Sequence, residues 1–229
     1  MSASRPPTAP GDLRVARAGP PPSRASHAVL LVHGRGAAPE DMLSLAERLA
    51  LPEVAWLAPA APGRSWWPSS FLAPLAHNEP GLDSGLAALD AVHAEVREAG
   101  VAPERTLVLG FSQGACLALE HAARRGAVRG GVVALSGGLV GTRDLDGPPH
   151  EALYGHRGKA FDYDTALEGV PVFIGCHERD PHIPLARVRE SERVLAGLGA
   201  SVRVEIYPGA GHGVVEEELR HVRGLLNRA

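Results

Sequence analysis

The chain has a single lysine, Lys159, although Lys and Arg together number 23, so nearly all its positive charge is carried by arginine. No arginine cluster is dense enough to form a nucleic-acid surface, and a net charge of −3 gives no general attraction to phosphate. Only two cysteines occur, Cys116 and Cys176, which excludes a disulfide framework and a four-cysteine metal site. Both lie in apolar stretches and read as core residues. No apolar run is long enough to span a membrane, and "MSASRPPTAPG" at the start lacks the apolar stretch of a signal peptide. These absences leave a cytoplasmic enzyme or binding protein as the expectation.

What is present is a rhythm. The 229 residues suit one domain with a large core. Residues 1–26 read as a Pro- and Ser-rich tail with a short edge strand at "DLRVARAG", and 27–229 as a single domain. "HAVLLVHG", "EVAWLAPA", "RTLVLGF", "VRGGVVALSGG" and "VPVFIGC" are continuous apolar runs, as expected of strands buried on both faces. "SVRVEIYPG" follows as a further strand. Between them, "APEDMLSLAERLA", "LDSGLAALDAVHAEVREAG", "QGACLALEHAARRG", "LARVRESERVLAGLG" and "VVEEELRHVRGLLNR" carry helical patterns. Alternation of this kind predicts an α/β fold with a mostly parallel sheet and helices on both faces. Two segments break it: residues 62–81, with Trp66, Trp67, Phe71 and four prolines, and an irregular excursion over 140–168.

The chemistry centres on Gly110-Phe111-Ser112-Gln113-Gly114, set between a strand and a helix. In a G-x-S-x-G turn the serine occupies a strained corner with its hydroxyl exposed, and the helix start offers free N–H groups and partial positive charge. The hydroxyl needs a base to become a nucleophile. Partners in such a fold follow in the order acid, then histidine. Asp180, directly after "VPVFIGC", is better placed than Asp144, Asp146, Asp162 or Asp164, which have no strand upstream. His212, in the glycine-rich "YPGAGHGV" after a strand, is better placed than His182, which would share the acid's loop, or His221, inside a helical pattern. Ser112, Asp180 and His212 therefore form the expected triad. The expected oxyanion donors are the backbone N–H groups of Gln113 and of Arg35, in His33-Gly34-Arg35-Gly36.

"HGRGA", "GFSQGA", "GCHERDPHIP" and "GAGH" together resemble the phospholipase/carboxylesterase family of α/β-hydrolases, which includes the acyl-protein thioesterases; the likeness runs from about residue 27 to the C-terminus. It implies an α/β-hydrolase fold and a serine hydrolase with no metal or organic cofactor. Its nucleophile falls on Ser112, its acid on Asp180, its base on His212 and its oxyanion donors on Arg35 and Gln113. Arg35 stands where the eukaryotic thioesterases have leucine, and "WWPSSF…NEPGLDSG" looks like a bacterial branch.

Other residues are weighed against plainer roles. Trp66 and Trp67, after the second core strand, are expected to line a substrate pocket, the alternative being that they cap the core. The Arg35 side chain could meet a substrate carboxylate or pair with a nearby acid. His182 and Glu79 read as structural, and His150 and His156 have no companions at metal-ligand spacing. The leading function is hydrolysis of small to medium carboxylic esters or thioesters. Hydrolysis of a ring-cleavage product or lactone, with Arg35 holding a carboxylate, comes second. A ligand-binding homologue without turnover comes third. The expected partner is a small-molecule ester or thioester, with no nucleic acid and no membrane span, and a homodimer is left open.

Overall fold

A computed structural model describes residues 13–227, so the tail at 1–12 lies outside the described residues. Seven strands form one sheet in the order β1-β3-β2-β4-β5-β8-β9. They are β1 (Val15–Ala18), β2 (His27–Val32), β3 (Val54–Pro59), β4 (Thr106–Phe111), β5 (Gly131–Leu135), β8 (Pro171–Arg179) and β9 (Ser201–Ala210). Only β1, at one edge, runs antiparallel to its neighbour; the other pairings are parallel. The strands β2, β3 and β5 are buried along their whole length, which is why they read as unbroken apolar runs.

Alternate residues feed two cores. Leu30 and Val32 of β2 join a core with residues of α2 (Gly81–Glu98), α3 (Gln113–Arg125) and α4 (Leu185–Gly197). Val29 and Leu31 face the other way, toward α1 (Pro39–Leu49) and α5 (Glu216–Leu226), where Met42, Leu45, Leu219 and Val222 are buried. Each helix therefore needs one apolar stripe, and each central strand needs two.

The excursion contains a two-residue pairing of β6 (Arg143–Asp144) with β7 (Lys159–Ala160), a short 3-10 turn at Glu151–Leu153 and an isolated bridge between His150 and His156. After β2 the chain adds β3 on one side and then crosses to place β4 on the other. This reversal of winding opens a crevice at the C-terminal ends of the strands, where open α/β sheets bind ligands. Gly34–Gly36, Ser112, Asp180 and His212 all follow such strand ends. Among the described residues, no helix is long and apolar enough to cross a membrane.

Candidate active site

Ser112 sits between β4 and α3 with φ 55° and ψ −118°, a conformation that costs of order 1–3 kcal/mol in a non-glycine residue. The two flanking glycines make the turn sterically feasible. A Cβ on Gly110 would lie 2.1 Å from the Gly114 carbonyl oxygen, and one on Gly114 would lie 2.0 Å from that of Val32. Either would force the elbow away from the sheet. The Ser112 N–H donates to Leu135 O at 2.9 Å, tying the corner to β5.

Three side chains from separate loops meet there. His212 Nε2 lies 2.9 Å from Ser112 Oγ, and its Nδ1 lies 2.7 Å from Asp180 Oδ2. A carboxylate only accepts, so Nδ1 carries the ring proton and Nε2 is left to accept from the serine hydroxyl. The other carboxylate oxygen of Asp180 accepts from the N–H groups of His182 at 2.8 Å and Ile183 at 3.1 Å. Burial disfavours the charge on Asp180, but the His212 hydrogen bond and these two amides outweigh it and hold the carboxyl below its ordinary value. The imidazole is flanked by the Phe111 ring at 5.1 Å and by the edge of His182 at 4.7 Å.

Two of the rejected acids are occupied elsewhere. Asp144 pairs with buried Lys159 and accepts from the Leu75 N–H, and Asp162 accepts from Thr142. His221 stacks on Phe173 within the helical layer, ring centroids 4.1 Å apart. His150 and His156 face each other across a backbone bridge.

The turn at 33–36 packs directly on the elbow, since a Cβ on Gly34 would be 3.3 Å from that of Ser112. The turn that carries Arg35, one of the expected oxyanion donors, thus lies beside the elbow that carries Gln113, the other. The Arg35 side chain pairs with no acid among the described residues; its guanidinium donates to the carbonyls of Pro68 and Ser69. Of the two roles weighed for the tryptophans, core packing is the one their burial supports. Trp66 and Trp67 are 3% and 2% exposed and belong to the core, because the surrounding loop turns both indoles inward. One residue escaped the sequence reading altogether. The Tyr154 hydroxyl, from the excursion, donates to the Asp180 carbonyl at 2.5 Å. A tyrosine in an aperiodic segment gives no sign of such a contact.

An α/β-hydrolase fold with a Ser–His–Asp chain of hydrogen bonds at the strand ends defines the class. The phospholipase/carboxylesterase family profile matches residues 15–228, and the chain belongs to that family. It is similar to a phospholipase/carboxylesterase from Dyadobacter fermentans, 37% identical, with a TM-score of 0.80 and coverage of 94% of this chain and 96% of that one. Esterase PE8 is 26% identical with a TM-score of 0.70, over 93% and 97% of the two chains. Acyl-protein thioesterase 1 of Gibberella zeae is 32% identical over 131 residues, 57% of this chain. That match spans about half, 51%, of the thioesterase's own length.

Proposed function

We propose that the protein is a serine hydrolase that cleaves carboxylic esters or thioesters of small to medium acyl groups through an acyl-enzyme. The observation that carries this reading is the unbroken chain Ser112–His212–Asp180, at 2.9 and 2.7 Å. Ser112 Oγ bonds to the substrate carbonyl carbon as its proton passes to His212 Nε2. The carbonyl oxygen, now an anion, accepts from the N–H of Arg35, in the turn after β2, and from that of Gln113, at the start of α3. Collapse breaks the bond to the leaving oxygen or sulfur, which takes the proton back from His212. Water then repeats the sequence on the acyl-serine, releasing the acid and restoring Ser112. Asp180 holds the imidazole in the required tautomer and stabilises its charged form. No metal or organic cofactor enters these steps.

The family and the esterase and thioesterase names of its relatives support ester and thioester substrates. The inward packing of both indoles favours small to medium acyl groups, since the pair closes the core instead of walling an open lipid channel. The lactone reading is weakened, because the two terminal nitrogens of Arg35 are already committed to loop carbonyls.

Labelling with a fluorophosphonate, alongside turnover of C2 to C16 acyl esters and thioesters, tests the proposal. Ser112→Ala should abolish labelling and lower kcat by up to ~10⁶-fold. A variant that keeps most of the wild-type turnover would remove Ser112 from the mechanism. A kcat/KM that rises steadily to C16 would overturn the acyl-size reading alone.

A further inference from the structure

The two oxyanion donors belong to different turns, one after β2 and one after β4, yet the side chains of both residues grip the same stretch of chain. Gln113 is 6% exposed. Its Nε2 donates to Trp67 O at 2.8 Å, and its Oε1 accepts from the Trp66 N–H at 3.0 Å. Arg35 donates to the next two carbonyls, Pro68 and Ser69. The backbone beside Arg35 is tied to the same loop, because the Gly36 N–H donates to Arg64 O at 2.7 Å. His33 completes the contact from the other side. Its Nε2 accepts from the Ala61 N–H at 3.0 Å, its Nδ1–H donates to Gly34 O at 2.8 Å, and its carbonyl accepts from Trp66 Nε1 at 2.9 Å. The far end of the loop is held by Asn78, 0% exposed, whose Oδ1 accepts from the Ser69 N–H and whose Nδ2 donates to Ser70 O.

Simple packing does not require this arrangement. An apolar side chain of Gln113's shape would fill the same space without the cost of desolvating an amide. An arginine seeking only charge would take a carboxylate partner. What these groups supply is direction, as each fixes the orientation of particular peptide units. Oxyanion stabilisation depends on that, because donors act over about 2.7–3.1 Å and a 1 Å misplacement can cost about 10²-fold in rate.

We infer that the loop at 61–70 is a brace that sets the spacing of the two oxyanion donors, with the side chains of Gln113 and Arg35 as positioning residues acting through their own main-chain N–H groups. Trp66 and Trp67 serve as its anchors. The inference rests on the serine-hydrolase reading above.

Gln113→Leu, Arg35→Lys and Asn78→Ala test it in the full chain, with melting curves to verify folding. Three quantities are measured: kcat and KM on a short p-nitrophenyl ester, inhibition by a short-chain trifluoromethyl ketone, and inhibition by the matching methyl ketone. The trifluoromethyl ketone accepts Ser112 Oγ at its carbonyl carbon, and the hydroxyl proton moves to His212. The resulting alkoxide occupies the oxyanion position, whereas the methyl ketone reports ground-state binding. Gln113→Leu and Arg35→Lys should each lower kcat about 10- to 100-fold with KM nearly unchanged. Affinity for the trifluoromethyl ketone should fall by the same factor, and methyl ketone affinity should hold. Because both side chains act on one loop, the double variant should lose less than the product of the single losses.

Asn78→Ala, which leaves both donors and their side chains intact, should show the same signature at about 3- to 10-fold. It keeps the test decisive if Gln113→Leu fails to fold. Loss of kcat with trifluoromethyl ketone affinity intact, or a higher KM at unchanged kcat, would overturn the brace while leaving the hydrolase reading in place. A wild-type protein that neither turns over esters nor is labelled at Ser112 would overturn that reading and the brace with it.

Discussion

The tryptophan loop and the 140–168 excursion both break the strand–helix rhythm, and both lie against the site, but they are held by different forces. The stretch of the loop at 61–70 is secured mainly by neutral groups: two side-chain amides, an imidazole and backbone carbonyls, with the Arg35 guanidinium the one charged group that holds it among the described residues. The excursion is secured by buried charge. Glu120 of α3, fully buried, accepts from the N–H groups of Val140 and Gly141 and from the Tyr163 hydroxyl, and pairs with Arg124. Lys159 is buried against Asp144 and the Ala73 carbonyl. Neutral bonds of fixed direction set the angles of peptide groups, and the loop applies them to the residues expected to bind the oxyanion. Buried ion pairs do something different: losing one partner strands the other, so they penalise any departure of the segment from the body. The loop should therefore govern rate, and the excursion, which reaches the triad through the Tyr154–Asp180 hydrogen bond, should govern stability.

Changes to the triad give the largest expected effect and set the scale. Asp180→Asn should keep the fold and lower kcat ~10⁴-fold, because the amide favours the wrong histidine tautomer. Asp162→Asn should change little, and a crippled Asp162→Asn enzyme would place the acid in the excursion. Next comes Glu120→Gln, which leaves Arg124 without its partner and weakens the anchoring of Val140 and Gly141. The expected loss is about 3–5 kcal/mol of stability, seen in denaturant unfolding, with kcat of the folded enzyme within a few-fold of wild type. A large fall in kcat at unchanged stability would erase the distinction between the two regions.

The smallest effect concerns a buried carboxyl in neither region. Glu218 of α5 is 1% exposed and accepts from the Val215 N–H at 2.9 Å, three residues after His212. Burial is the main cause that pushes its carboxyl from 4.5 up to about 7, with Glu205 and Glu217 adding to the rise and the Val215 amide opposing it. The folded state thus holds this proton more tightly than the unfolded chain does. Its contribution is complete below 4.5 and is lost as pH climbs through about 7. Glu218→Gln keeps an acceptor for Val215 and carries no charge. Its stability advantage over wild type should grow from near zero at low pH to on the order of 3 kcal/mol above neutrality. Thermal melts from pH 5 to 8 check this, and a gap that does not vary with pH would contradict the raised carboxyl.

Much of the fold was legible because the signal was local. Central strands such as β2 and β3 must be apolar at every position to serve two cores, and amphipathic helices repeat on a fixed period. The charged end of β8, Glu178-Arg179, was not legible as strand. Arg179 extends the strand by pairing with Ala210 of β9 beyond a register shift at Glu178, a partner distant in sequence. Residues 140–168 offered no period, since their order depends on Glu120 and Lys159 being buried by other parts of the chain.

The same division runs through the site. The sequence by itself determined that a serine lies on a strand-to-helix elbow, and that an acid and a histidine follow later strands in order. Spacing and glycine placement are enough for that, because the elbow admits no Cβ at 110 or 114. Only the tertiary structure decided where Trp66, Trp67, Arg35 and Tyr154 direct their side chains. Three of them answer to a hydrogen-bonding need created elsewhere, the His33 carbonyl for Trp66, the Pro68 and Ser69 carbonyls for Arg35, and the Asp180 carbonyl for Tyr154, while the Trp67 indole is placed by packing in the core. Such needs exist only after distant strands have packed, when a buried polar group must find a partner or lose the equivalent of a hydrogen bond.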